Sequence, residues 1–314
     1  MINLVGNLNA DLILAQIKDR PDFGEEFLVD DMILRPGGVA NLIFPLAKLG
    51  VKPRVIATVG YDDYGQKIYD EMLPLMEDGV TRTETPTAVS VAIVKEDGAR
   101  YFVTYRGNFN CFTKETIEKV ERFEDAKATL FYGYFLLPKM GVDGAKECLI
   151  KAKKACQLTF FDANSAIDGW SAKSKQDIIQ LLPYIDYFMP NDDELVYLTG
   201  IKEIEKAVQY LFLNGATNIV VKRGKDGSSF YSKNQTIHQK GFPVKAFDTT
   251  GAGDSFNAGF IYSIVQHQDI QQSLIFGNAL ASFVVSRKEN RYPTLMEIEE
   301  RVSVLNNSFS MKSI

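Results

Sequence analysis

Six short apolar runs recur along this chain with helical patterns between them, and that alternation restricts its fold more than any other feature. The runs are Ile2–Gly6, Arg54–Val59, Ala128–Tyr132, Leu158–Asp162, Tyr187–Pro190 and Asn218–Lys222. They read as buried strands, as expected where both faces of a sheet are covered. Apolar residues at helical spacing predict helices over Tyr64–Leu73, Val142–Lys154, Lys175–Leu182, Ile204–Leu213, Ser255–Val265 and Ile270–Val285. Strand and helix in repeated succession predict an α/β fold: a doubly wound, mostly parallel sheet with helices on both faces. A chain of 314 residues, 46% of them hydrophobic, can bury a core of that size.

Two stretches depart from this rhythm, Asp11–Arg35 and Thr87–Arg106. In the second, Ala88–Val94 and Arg100–Tyr105 flank Lys95-Glu96-Asp97-Gly98, which predicts a hairpin. Partial alternation of apolar and polar residues suits a small sheet with one covered face. No repeat, low-complexity tract or long linker interrupts the chain, so residues 1–314 read as a single domain with segments of approximately 11–35 and 87–106 inserted as a small β-sheet lid.

The chemistry is written most plainly at residues 248–260, Asp-Thr-Thr-Gly-Ala-Gly-Asp-Ser-Phe-Asn-Ala-Gly-Phe. Gly251, Ala252 and Gly253 let backbone amides crowd together at a helix start, where the helix dipole adds positive charge. Such a turn should attract an anion such as phosphate. Asp254 places a carboxylate beside the cradle. A base next to a phosphate site points to phosphoryl transfer, whereas a tight turn capped by an aspartate is the plainer alternative.

Composition removes several other classes. The formal net charge is −5 with Lys and Arg scattered, which argues against nucleic acid or an acidic membrane as the main partner. No apolar stretch approaches membrane-spanning length, and the N-terminus lacks a signal-peptide pattern. Cys111, Cys148 and Cys156 are an odd number without metal-type spacing, which predicts free thiols and a cytoplasmic protein. With two histidines, His238 and His267, in no recognisable constellation, neither a transition-metal site nor a Ser-His-Asp hydrolase is indicated. No Gly-x-Gly-x-x-Gly follows the first strand, and no Walker-A pattern is present, so a Rossmann oxidoreductase and a P-loop kinase are both disfavoured.

The turn at 248–254 resembles the C-terminal signature of the ribokinase-like (PfkB) family of sugar kinases, Asp-Thr-x-Gly-Ala-Gly-Asp. Gly37-Gly38-Val39-Ala40-Asn41, followed by Gly50 and Gly60, is similar to that family's N-terminal signature, and Asn191-Asp192-Asp193-Glu194 to its central Asn-x-x-Glu motif. The likeness spans nearly the whole chain in the expected order; Ile43 departs from it, standing where a small residue is usual. It implies an ATP-dependent sugar kinase with Mg²⁺, in which the lid covers the sugar and, in some relatives, pairs two copies as a homodimer.

Under this resemblance Asp254 is the general base and the amides of Gly251, Ala252, Gly253 and Asp254 form the anion hole. An unperturbed aspartate, with a pKa of about 4, is too weak to ionise an alcohol beforehand, so proton transfer comes late and positioning carries most of the rate. Asn191 and Glu194 hold Mg²⁺ through water, or else simply form the capping box of a helix; both readings stay open. Lys222, Gly224 and Gly227 resemble the segment beside ATP, against the alternative of a plain hairpin turn, and Asn278 matches a position near adenosine. Asp11, which follows the first strand, and Gly37, Gly38 and Asn41, predicted to open a helix, supply polar groups for sugar hydroxyls; read alone they are turn or capping residues. Asp248 and Thr250, with carbonyls near Val285–Lys288, are implied ligands of a monovalent cation such as K⁺, although Ser286-Arg287-Lys288-Glu289-Asn290 departs from the glycine-containing loop usual there.

The acceptor is less legible. Fructokinases and 2-keto-3-deoxygluconate kinases carry Asp-x-Asn-x-Arg after a middle strand, whereas this chain has Asp162-Ala163-Asn164-Ser165-Ala166. Losing that guanidinium favours a neutral sugar or a nucleoside over an acidic one, unless Arg106 from the lid compensates. A catalytically silent sugar or nucleotide sensor is the alternative from another class, against which the intact Asp254, Gly251 and Gly253 speak.

Overall fold

The structure, a computed structural model, describes residues 1–17, 22–26, 28–95 and 100–310. The chain begins with β1 (Ile2–Gly6), β2 (Leu8–Ile17), β3 (Met32–Gly38), α1 (Ala40–Lys48), β4 (Arg54–Ile56), β5 (Thr58–Gly60) and α2 (Asp63–Met72). It continues through β6 (Glu77–Asp78), β7 (Thr81–Thr83), β8 (Val89–Lys95), β9 (Arg100–Tyr105), α3 (Lys114–Glu118), β10 (Ala128–Tyr132), α4 (Gly141–Lys154), β11 (Leu158–Asp162) and α5 (Ala172–Leu181). The last third contains β12 (Tyr187–Phe188), α6 (Asp192–Thr199), α7 (Ile204–Leu213), β13 (Asn218–Lys222), β14 (Ser228–Ser232), β15 (Thr236–Gln239), α8 (Ala252–Val265), α9 (Ile270–Ser286) and α10 (Leu295–Ser310).

Nine strands form one sheet in the order β15-β14-β13-β12-β11-β10-β1-β4-β6, parallel from β13 to β6 and antiparallel through β14 and β15. Side chains alternate across it, so neighbours on a strand feed different cores. Val5, Phe131, Phe161 and Val221 join the layer with α4, α5 and α7. Leu4, Leu130, Phe160 and Val220 join the layer with α1 and α8. This is the expected doubly wound architecture. Ile43, unusual for its position, is fully buried in the second core.

Helices α8 and α9 approach closely because glycines face one another: a Cβ on Gly259 would stand 3.1 Å from the Gly277 Cα. A Cβ on Gly277 would meet the Phe256 ring at 2.9 Å. Gly277→Val is therefore expected to destabilise the fold by about 1–3 kcal/mol through overpacking, read by denaturant unfolding. An unchanged midpoint would show that the helices can part freely.

The second sheet, in the order β3-β2-β8-β9, is the expected lid. β8 and β9 pair as the predicted hairpin; residues 96–99 of its turn, and residues 18–21 and 27 of the first lid segment, lie outside the described residues. Two expectations need correction. Arg54–Val59 is not one strand: β1 can pair β4 only as far as Val5 with Ile56, beyond which the chain enters a separate ladder with β7. Gly37 and Gly38 do not open the helix but end β3, and α1 starts after Val39. Gly38 has φ +65°, and a Cβ there would collide with the Asn7 carbonyl, so the close return of β3 onto the end of β1 needs glycine.

Candidate active site

From β1 the chain winds outward through β4 and β6, then returns to β10 and winds the other way through β11, β12 and β13. The winding reverses between β1 and β10, and ligands of open α/β sheets bind in the crevice beyond the strand ends at such a point. Asn7 follows β1 there, Tyr132 ends β10 and Asp162 ends β11. A cleft of about 730 Å³ opens above them, bounded by Asn9, Asp11, Ser90 and Thr104 of the lid and by Gly251 and Asp254.

The turn before α8 is built as its residues demand. Gly251 adopts φ +76° at the N-cap, and Ser255 N closes the first helical bond onto the Gly251 carbonyl at 2.9 Å. The amides of Ala252, Gly253 and Asp254 belong to the first turn, whose donors lack partners within the helix; Ala252 N reaches back to Thr249 O at 3.2 Å. Asp254 stands in that turn and faces the cleft. Burial, and after it the Asp162 charge, push its carboxyl up, while Lys222 and hydrogen bonds from Tyr132 and Asn41 pull it back, leaving it at about 6. Tyr132, buried between Asp254 and Asp162, is raised well above its ordinary value.

Beneath the turn lies a charged cluster. Lys222 Nζ pairs with Asp162 Oδ2 at 2.5 Å, and Asn257 Nδ2 donates to the same oxygen at 2.5 Å. Burial alone would lower the Lys222 pKa, but Asp162, Glu194 and Asp254 together raise it, so it stays a cation. A Cβ on Gly253 would stand 3.7 Å from Lys222 Nζ, which sets the ammonium directly behind the amide turn.

Asn191 and Glu194 form the capping box of α6: Asn191 Oδ1 accepts from Glu194 N at 2.7 Å and Glu194 Oε2 from Asn191 N at 2.9 Å. Glu194 also lines the cleft, where Ser165 Oγ donates to its Oε1 at 3.3 Å. Burial and Asp162 raise its pKa, partly offset by Lys222.

On the lid side Asp11 accepts from Asn9 Nδ2 at 2.7 Å. Burial raises its pKa against the opposing influence of Arg35 and Asn9. Gly37 packs against that carboxylate, where a Cβ would collide with it. Gly38, Asn41 and the exposed Arg106 line the same cleft.

Of the remaining expected residues, Thr250 lines the cleft beside Gly251, whereas Gly224, Gly227, Asn278 and Asp248 stand apart from its lining. Gly224 and Gly227 lie in the turn between β13 and β14, with φ +52° and +96°. Gly227 abuts the Gln239 carbonyl, and the buried Asn278 donates to that carbonyl at 3.4 Å. Asp248 and Thr250 are drawn to Arg291: its Nη2 donates to their carbonyls at 3.1 and 2.8 Å, and its Nη1 lies 3.0 Å from Asp248 Oδ2.

Sequence reasoning missed Asn7, Asn9, Tyr132, Asn257 and Arg291 as site residues. Asn7 Oδ1 and Asn257 Oδ1 are buried without a hydrogen-bond partner among the described residues; Asn7 lines the cleft, where a bound polar ligand can relieve that cost. A polar residue just past a buried strand was the available signal for Asn7, and Asp162, the charged last residue of β11, carried a similar one.

The sequence model of the pfkB family carbohydrate kinases matches residues 1–296. Ribokinase of Bacillus subtilis (strain 168) is 28% identical over 313 residues, covering 96% of this chain and 99% of its own length. The probable fructokinase-5 of Arabidopsis thaliana is 28% identical over 271 residues, covering 81% and 83% of the two chains. The crystal structure of ribokinase from Thermotoga maritima superposes with a TM-score of 0.80 at 26% identity, covering 96% of this chain and 99% of that one. A family match over almost the whole chain, on a fold whose winding reverses beside an amide turn and a carboxylate, settles the class: this chain belongs to the pfkB family of carbohydrate kinases and is a phosphotransferase with an alcohol group as acceptor.

Proposed function

We propose that the chain transfers the terminal phosphate of ATP to a hydroxyl of a small neutral sugar, with Asp254 as general base and the amides of residues 251–254 as the anion hole. The observation that carries this reading is the position of Asp254: a carboxylate raised to about 6, in the first turn of α8 and open to the cleft. A base titrating near working pH takes up a proton more readily in the transition state than an ordinary aspartate. The amide turn and the Lys222 charge behind it are fixed before the reaction, so they stabilise the migrating phosphoryl group without reorganising. A sensor would have no use for that buried carboxylate.

Sugar hydroxyls are assigned to Asp11, Asn41, Gly37 and Gly38, joined by Asn7. Gly224, Gly227 and Asn278 are assigned to the nucleotide, on the Lys222 side. Mg²⁺ fits the residues present: Glu194 and Asn191 offer oxygen donors suited to a hard cation. Such an ion retains several waters and takes substrate phosphates as further ligands. When bound, it would neutralise phosphate charge, held through water by Glu194 and Asn191. The lid closes over the sugar and excludes water, which protects ATP from hydrolysis.

Arg106 in the cleft lining favours one second reading, an acidic sugar, because position 166 is a buried alanine and offers no guanidinium. ATP consumption across neutral sugars, acidic sugars and nucleosides separates these. We expect the highest kcat/KM with a neutral pentose or hexose; preference for an acidic sugar, abolished by Arg106→Ala, would transfer the assignment, and no turnover with any acceptor would favour the sensor. Three free cysteines accord with a cytoplasmic location, and no helix among the described residues is long and apolar enough to cross a membrane. The edge strands of the lid expose Met32 (65%), Ile33 (52%) and Val103 (61%), and we extend the proposal to a homodimer joined there.

A further inference from the structure

We infer that Arg291 is the resident cation of the anion-hole loop, so that this kinase works without K⁺ or any other monovalent metal ion. The inference rests on the kinase reading and corrects one expectation within it, that Asp248 and Thr250 bind such an ion. Three backbone carbonyls from two separate segments converge on the guanidinium: Val284 O on Nε at 3.0 Å, and Asp248 O and Thr250 O on Nη2 at 3.1 and 2.8 Å. The Asp248 carboxylate joins them at 3.0 Å from Nη1. Several carbonyl oxygens and one carboxylate suit a hard monovalent cation, but here a fixed side chain already takes up those oxygens. With only 13% of its side chain exposed, the arginine is not a surface group that drifted in. The same loop is laced to the end of α9, since Phe247 N and Asp248 N donate to Val285 O at 2.7 and 3.2 Å.

Planarity of the peptide bond gives this contact its consequence. The Thr250 carbonyl and the Gly251 N–H belong to one rigid unit and point in opposite directions. Holding that carbonyl on the guanidinium therefore aims the Gly251 amide the other way, and Gly251 lines the cleft. The positive charge also polarises the unit so that its N–H is a better donor to phosphate. Arg291 acts through the loop and is a positioning residue. Its charge is always present, because guanidinium does not lose its proton in proteins; a metal ion would have to be bound first.

The test uses the full chain and the best acceptor of the panel, in buffer free of Na⁺ and K⁺ with tetramethylammonium chloride holding ionic strength. Wild-type kcat and Tm are expected to stay flat as KCl replaces that salt. Arg291→Ala should lose kcat by up to about 100-fold through a misplaced cradle, with little change in sugar KM. Part of the loss should return on adding K⁺ or guanidinium ion, and K⁺ should now raise Tm. Arg291→Lys, which keeps a charge, should fall between the two. Saturable activation or a raised Tm of the wild-type protein by K⁺ overturns the inference, and so does an Arg291→Ala enzyme that keeps full kcat. If the alanine variant does not fold, the wild-type titration decides alone. Should no acceptor be phosphorylated while the wild-type Tm stays indifferent to K⁺, the kinase reading fails and the arginine assignment stands.

Discussion

Asp254→Asn is expected to lower kcat by roughly 10²–10⁴-fold, the usual contribution of a positioned acid or base, while sugar and nucleotide still bind. Asparagine keeps the volume, and its carbonyl oxygen can still accept from Tyr132 or Asn41, so the cleft holds its shape. What disappears is the proton acceptor. The same substitution relieves the fold. The carboxyl is raised from 3.8 to about 6, so folding takes up a proton between those values. Wild-type stability therefore falls as pH rises through that window and stays lower above it. The variant does not titrate; it should be more stable at neutral pH by about 3 kcal/mol, an advantage that vanishes in acid below the unfolded value. Urea unfolding at several pH values measures the gap, and calorimetry of sugar and nucleotide binding checks that affinity survives. Near-wild-type kcat would remove Asp254 from the base role.

Lys222→Met should be the most destabilising single change in the site. It strips the partner from an aspartate whose side chain is only 2% exposed, and breaking a buried pair in this one-sided way costs about 3–5 kcal/mol. The Asn257 amide still donates to Asp162, which places the expected loss at the lower end of that range. Adding Asp162→Asn should recover most of the loss, because the second change removes the uncompensated charge. A double mutant no more stable than Lys222→Met alone would mean that the ammonium acts through packing rather than charge. For catalysis the lysine change has a second effect: Lys222 lowers the Asp254 pKa, so without it the base should titrate at higher pH.

Long-range order was legible where burial is two-sided. Runs such as Leu158–Asp162 and Asn218–Lys222 appear as β11 and β13 with the expected bounds, because a strand covered on both faces must be apolar throughout. The lid read less clearly. β2 follows β1 after one residue, and nothing local marks the point where the chain leaves one sheet for another. α10 was overlooked although its cap is written in Thr294-Leu295-Met296-Glu297: Thr294 N donates to Glu297 Oε2 at 2.8 Å, and Glu297 N to Thr294 Oγ1 at 3.4 Å. Of the site, the amide turn and Asp254 were readable because their chemistry is local. Asp162, Asn257 and Lys222 meet only when three distant segments fold together. Arg291 joins Asp248 across 43 residues, and no spacing in the chain announces that contact.

The most direct test of Asp254 as base is the pH dependence of kcat/KM for the acceptor, measured on wild type and Asp254→Asn together. Protons on the nucleotide titrate equally in both, so the difference isolates the side chain. The wild-type enzyme should lose activity as pH falls through an apparent pKa near 6, whereas the residual rate of the variant should lack that limb. An acid limb shared by both proteins, or absent from the wild type, would contradict the account.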